Sequence, residues 1–85
     1  MITRSIGFEK KPEIHARPAA QVAGLASGFE SMIVFSFGDQ IADAKNVMSV
    51  LDFFSGDLKD FELTAIGVDE ISAVDQMTEL LMTFQ

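Results

Sequence analysis

Pro18 restricts this chain more than any other residue. Its ring is excluded from a helix interior or a central strand. It is tolerated in a first helical turn, where the N–H it lacks would have had no intrahelical partner. The run from Pro18 to Ala26 is rich in small, helix-compatible residues, so the spacing predicts a helix over about 16–27. His15, the only histidine, then stands at or just before that helix's N-terminus, and Arg17 follows it by two residues. The free N–H groups of Ala16 and Arg17, with the positive end of the helix dipole, favour an anion at this point. A histidine beside an anion-binding turn and an arginine suits the carriage of phosphate.

The rest of the chain divides around that stretch. Residues 1–7 alternate mildly, with Ile2, Arg4 and Ile6 on one side, and read as a strand. Glu9 to Ile14 is polar, contains Pro12, and reads as a loop delivering His15. Leu25, Ala20 and Ala23 are available for packing on the first helix, and Gly28 is placed for a left-handed C-terminal cap. Met32 to Phe37 is β-branched and aromatic, Gly38-Asp39 is a hairpin turn, and Gln40 to Ala44 returns as a shorter strand. Asn46 is a good N-cap for a short helix over Val47 to Phe53, which Ser55-Gly56-Asp57 terminates. Phe61, Leu63 and Ala65 alternate with polar residues as a half-buried strand. After Gly67-Val68-Asp69, a final helix presents Val74, Met77, Leu81 and Phe84 as one apolar stripe. Helices interspersed with a hairpin imply an α+β layer, one sheet covered on one face.

Composition narrows the function. Eighty-five residues make one domain, 1–85, and the eight phenylalanines read as core rather than as a ligand box. No apolar run is long enough for membrane insertion, and the start lacks the long apolar stretch of a signal peptide, which implies the cytoplasm. A net charge of −7 argues against nucleic acid as a partner. With one histidine and no cysteine, neither a disulfide framework nor a metal site is expected. No cofactor motif is visible, and nothing demands more than a monomer. A free-standing hydrolase is disfavoured, because one histidine without a second acid/base group does not easily activate water. On the motif alone, a histidine at a helix start is more often a structural cap than a reactive group.

The stretch Ile14-His15-Ala16-Arg17-Pro18-Ala19 resembles the active-site signature of the HPr family, the histidine-containing phosphocarriers of the bacterial sugar phosphotransferase system. Two further blocks, Ala44 to Leu51 and Phe61 to Glu70, extend the resemblance along nearly the whole chain. It implies an open-faced β-sandwich, a four-stranded antiparallel sheet under three helices. It implies His15 as the phosphorylated residue and Arg17 as its phosphate-stabilising neighbour, helped by the backbone N–H groups of Ala16 and Arg17. The donor would be an Enzyme I-like protein charged from phosphoenolpyruvate, and the acceptor a IIA-type component. Ala20, Val47, Met48 and Leu51 would form the surface that docks these partners.

The sequence departs from the family at several places. Asn46 stands where many members have a serine phosphorylated by a regulatory kinase, so that regulation is expected to be absent, with Ser49 the nearest hydroxyl. Glu13 replaces a usual glycine and would repel an incoming phosphate, and Pro12 replaces a small polar residue. Gly24, Ser27 and Ser49 occupy a region where many members present lysines. These changes leave an alternative open: a non-catalytic interaction module that binds a partner through the His15 end and the 47–51 helix.

Overall fold

A computed structural model describes residues 1–84. Four strands and three helices follow in the order β1 (Ile2–Gly7), α1 (Ala16–Ser27), β2 (Met32–Phe37), β3 (Gln40–Asp43), α2 (Val47–Phe53), β4 (Asp60–Ile66) and α3 (Glu70–Met82). The strands form one antiparallel sheet in the order β1-β4-β2-β3. The last strand in sequence therefore lies between the first and second, and β1 and β3 form the edges.

Alternation decides which face is covered. Ile6, Phe61, Leu63, Ala65, Ile33 and Phe35 point to one side and are buried against the helices. Thr3, Ser5, Glu62 and Ser36 fall on the other side, where Thr3 and Thr64 share a hydroxyl hydrogen bond across β1 and β4. The result is an open-faced α+β sandwich. Arg4 faces the helix layer from the β1 edge, and its guanidinium bonds Asp75 at 2.9 Å and Thr78 at 3.2 Å on α3. An inward charge on an edge strand is tolerable here because the helix supplies both acceptors.

Five phenylalanines, Phe8, Phe35, Phe53, Phe54 and Phe61, hold the middle of the core, with ring centroids 5.1–5.9 Å apart and mostly edge-to-face. That geometry sets positive ring edges against negative faces. Phe29 and Phe84 pack against this core while partly exposed, and Phe84 lies beyond the end of α3. The reading of all eight rings as core fails at Phe37, which is 52 % exposed at the end of β2.

Four local details also differ. Gly28 is right-handed (φ −78°), because α1 ends by tightening: its N–H bonds the Leu25 carbonyl, and Phe29 N–H bonds Ala26. These i to i−3 bonds satisfy the terminal carbonyls, so no left-handed cap is required. On α1 the buried stripe is Ala19, Val22, Ala23 and Ala26, and Ala20 lies outside it, exposed. β3 stops at Asp43, although Ala44 is buried and still donates to the Ile33 carbonyl. At the β2–β3 turn only Gly38 has positive φ (59°), and Asp39 does not.

Candidate functional site

The segment between β1 and α1 has no regular structure, yet it is pinned along its length. Phe8 is buried, stacks on Phe61 and donates its N–H to the Lys59 carbonyl at 3.0 Å. Lys11 pairs with Asp57 at 3.6 Å, Pro12 is buried, and Ile14 packs on the core. Alternate residues thus turn inward, while Glu13 and His15 turn out. His15 arrives in an extended conformation (φ −110°, ψ −161°) as the N-cap of α1, and its carbonyl accepts the Ala19 N–H at 3.0 Å.

That bond defines what is left over. Ala16, Arg17 and Pro18 are the first three helical positions, so none has an intrahelical acceptor for its N–H. Proline has no N–H to offer, and two amide donors remain, those of Ala16 and Arg17. The His15 side chain makes no capping bond to them, and no acidic residue lies in the first turn of α1. Among the described residues the His15 ring and the Arg17 guanidinium are exposed and unpaired. The arrangement offers an anion two amides and a positive helix end at a nitrogen nucleophile, with an unpaired guanidinium two residues along the chain.

His15 lines an open depression of about 530 Å³ with Lys11, Pro12, Glu13, Ile14, Phe54 and Ser55. Glu13 therefore does share the site with His15, as its place in the chain implies. The second block of residues lies on α2, which packs against α1. Asn46 caps α2 by accepting the Ser49 N–H at 3.0 Å. Val47 is 37 % and Met48 72 % exposed, Leu51 is half-buried, and Val50 and Phe53 face the core. Ala20 on α1 is exposed as well, so all four expected docking residues retain accessible surface. Ser49 is half-buried and its hydroxyl accepts the Asp43 N–H at 2.9 Å, so it is not a free surface hydroxyl.

Comparison with known proteins then decides the family. The family described as "PTS HPr component phosphorylation site" matches residues 2–83. The chain belongs to the HPr family. It is 31 % identical to phosphocarrier protein HPr of Pseudomonas putida over 85 residues, covering 99 % of this chain and 94 % of that one. Its fold superposes on the crystal structure of an HPr from Thermoanaerobacter tengcongensis with a TM-score of 0.84 at 29 % identity, covering 98 % and 93 % of the two chains. A third likeness is to DhaM of Providencia stuartii, the phosphoryl donor subunit of a phosphoenolpyruvate-dependent dihydroxyacetone kinase. There identity is 38 % over 69 residues, which is 79 % of this chain and 14 % of that protein. The protein is thus an HPr-family phosphocarrier. No helix among its described residues is long and apolar enough to cross a membrane.

Sequence reasoning missed Phe37 and Asp69. Asp69 accepts from the Glu30 and Ser31 amides, both at 2.9 Å, and from the Ser31 hydroxyl. The Ser31 hydroxyl, followed by the Glu30 amide, holds the Asp69 carboxyl below the ordinary carboxylate range. The adjacent Glu70 is likewise lowered, chiefly by the N-terminal amine at 2.8 Å and then by the Gly67 amide. These acids organise the far end of the sheet, and no local sequence signal announces partners more than thirty residues away.

Proposed function

We propose that His15 is the residue that carries the phosphoryl group, taken from an Enzyme I-like donor charged by phosphoenolpyruvate and passed to a IIA-type acceptor. In the accepting step the unprotonated nitrogen of the neutral ring attacks phosphorus. The N–P bond forms as the bond from phosphorus to the donor breaks, and the electron pair of that bond returns to the donor group. No proton has to leave His15 on the way in, because the attacking nitrogen carries none. Arg17 and the amides of Ala16 and Arg17 then bind the phosphoryl oxygens. Phosphoryl transfer is largely positioning and electrostatics, so a site this small suffices when the partner completes it.

The observation that carries this reading is the unanswered N-terminus of α1: two amides and a guanidinium without partners, beside an exposed histidine. Ala20, Val47, Met48 and Leu51 serve as the docking surface, Met48 foremost, because an exposed flexible methionine adapts to more than one partner.

The likeness to DhaM favours a second reading of the acceptor, in which the phosphoryl group goes to a kinase of the dihydroxyacetone type rather than to sugar import. Intact-mass analysis after incubation with phosphoenolpyruvate and Enzyme I of the same organism tests the first step, with His15→Ala alongside. The expected result is one acid-labile phosphoryl group on the wild type and none on the variant. Presenting the charged protein to a IIA component and to a dihydroxyacetone kinase then separates the acceptors. Absence of any gain with an active Enzyme I would overturn the carrier reading in favour of an interaction module.

A further inference from the structure

A groove of about 530 Å³ opens between the β2–β3 turn and the segment joining α2 to β4. Phe37 and Gln40 line it from the hairpin, Phe53 and Leu58 from the other side. Phe37 is the aromatic residue that the core leaves out: it takes part in none of the ring contacts and is 52 % exposed. Asp52, Asp57, Lys59 and Asp60 are the titratable groups of the lining. Asp57 is drawn outward to Lys11, whereas the carboxylates of Asp52 and Asp60 have no hydrogen-bond or ion-pair partner among the described residues. Asp39 flanks the groove, sharing with Asp52 the adjoining depression under the turn.

An open phenyl ring and two unpaired carboxylates, outnumbering Lys59, select a ligand. An anion would be repelled, and an apolar helix would bury the carboxylates without partners. No group of acids among the described residues is close enough to hold a metal ion. A side-chain cation satisfies both features, its face on the ring and its N–H donors on the carboxylates, and a planar guanidinium does so better than an ammonium. The groove is also continuous with the His15 end. Ser55 lines both this groove and the His15 depression, and Asp52 stands one helical turn from Met48.

We infer that this groove receives an arginine, or less well a lysine, from the protein that docks over His15 and Met48. The inference rests on the docking surface proposed above. It adds a chemical requirement on the partner: a basic side chain placed to reach past the end of α2 as its body covers the helices.

The test uses the blocked tripeptide Gly-Arg-Gly as probe against the isotopically labelled protein, followed by NMR. The expected result is saturable shifts at Phe37 and Leu58. Half-saturation should rise at least fivefold in Asp52→Asn/Asp60→Asn, and the same peptide with neutral citrulline should not saturate. A dispersed, wild-type-like amide spectrum verifies the fold of the double variant. Shifts that never saturate, that spread over the whole acidic surface, or that persist with citrulline or in the double variant would overturn the inference. Phosphoryl gain at His15, read by mass on the wild type, is independent of this result. A failed groove therefore leaves the carrier standing, and a saturating groove in a protein that gains no phosphate would tell against the carrier alone.

Discussion

The starts of α1 and α3 both present the positive end of a helix dipole and are treated in opposite ways. At α3 the chain supplies its own negative charge. Glu70 lies in the first turn, bonded to the Gly67 amide and the N-terminal amine, and Asp69 just before it reaches across to Glu30 and Ser31. At α1 there is no acid in the first turn, no side-chain cap, and a proline that removes a donor rather than satisfying one. α2 lies between these cases, with a side-chain cap from Asn46 and nothing further. The difference teaches where the fold is closed to an anion and where it is open: at α3 the chain's own carboxylates oppose the helix dipole, although Asp69 makes no side-chain cap, and the α1 end awaits an anion from outside.

The closed end should break hardest. Gly67 has φ 155°, and a Cβ there would lie 2.6 Å from Ser31 Cα. Gly67→Ala should therefore cost about 2–4 kcal/mol in urea unfolding, as backbone strain and overpacking combine. A loss below about 0.5 kcal/mol, within the range of ordinary surface changes, would mean that the Asp69–Ser31 corner is not rigid.

The same corner sets a pH dependence. Because the folded-state values of Asp69 and Glu70 are lowered, their contribution is fully present above the ordinary carboxylate values of 3.8 and 4.5 and disappears as pH falls through the lowered ones. Asp69→Asn should be less stable than wild type at neutral pH, and the gap should close in acid. Thermal melts from pH 7 down to about 2 measure it, since ordinary Asp and Glu titrate near pH 4. A gap that stays constant would mean that Asp69 acts by shape and not by charge.

Smaller effects belong to α2 and α1. Asn46→Ala should cost about 1 kcal/mol, the ordinary worth of a side-chain cap. His15→Asp should do the reverse. An aspartate in the extended N-cap position can accept the Arg17 amide and oppose the helix dipole, stabilising the protein by about 0.5–1 kcal/mol while abolishing phosphoryl acceptance. If that variant is no more stable than wild type, the α1 start is less open to an anion than its geometry implies.

How much of this was legible in the chain depends on how far apart the interacting residues lie. Pro18, the Phe61-Leu63-Ala65 alternation and the Asn46 cap act within a few residues, and the elements that they imply are those observed, in the same order. The resemblance read in the sequence rests on three separated blocks, and the family model spans residues 2–83. Gly28 misled because a helix can end by tightening as well as by turning left-handed, and composition does not choose between them. Ala20 and Ala23 are the same residue type, and only the side of α1 that its neighbours in the fold cover, α2 and α3 among them, buries one and exposes the other. Phe37 reads as core by type, but it falls at the last position of an inner strand, where the helix layer no longer covers it. Asp69 looks like one more helix-start acid until the fold brings Glu30 and Ser31 beside it.

Pro18 has a further consequence, for the direction of flow. A carrier that grips its cargo tightly becomes a dead end, since the next acceptor must outbid every bond it makes. A charge-assisted hydrogen bond is worth about 1.5–3 kcal/mol, so a third amide would bias exchange toward retention by roughly ten- to a hundredfold. With proline at the third helical position that amide does not exist. On the proposed reading, Pro18→Ala should yield a protein that loads readily and unloads poorly, and the proline keeps the site a waystation rather than a terminus.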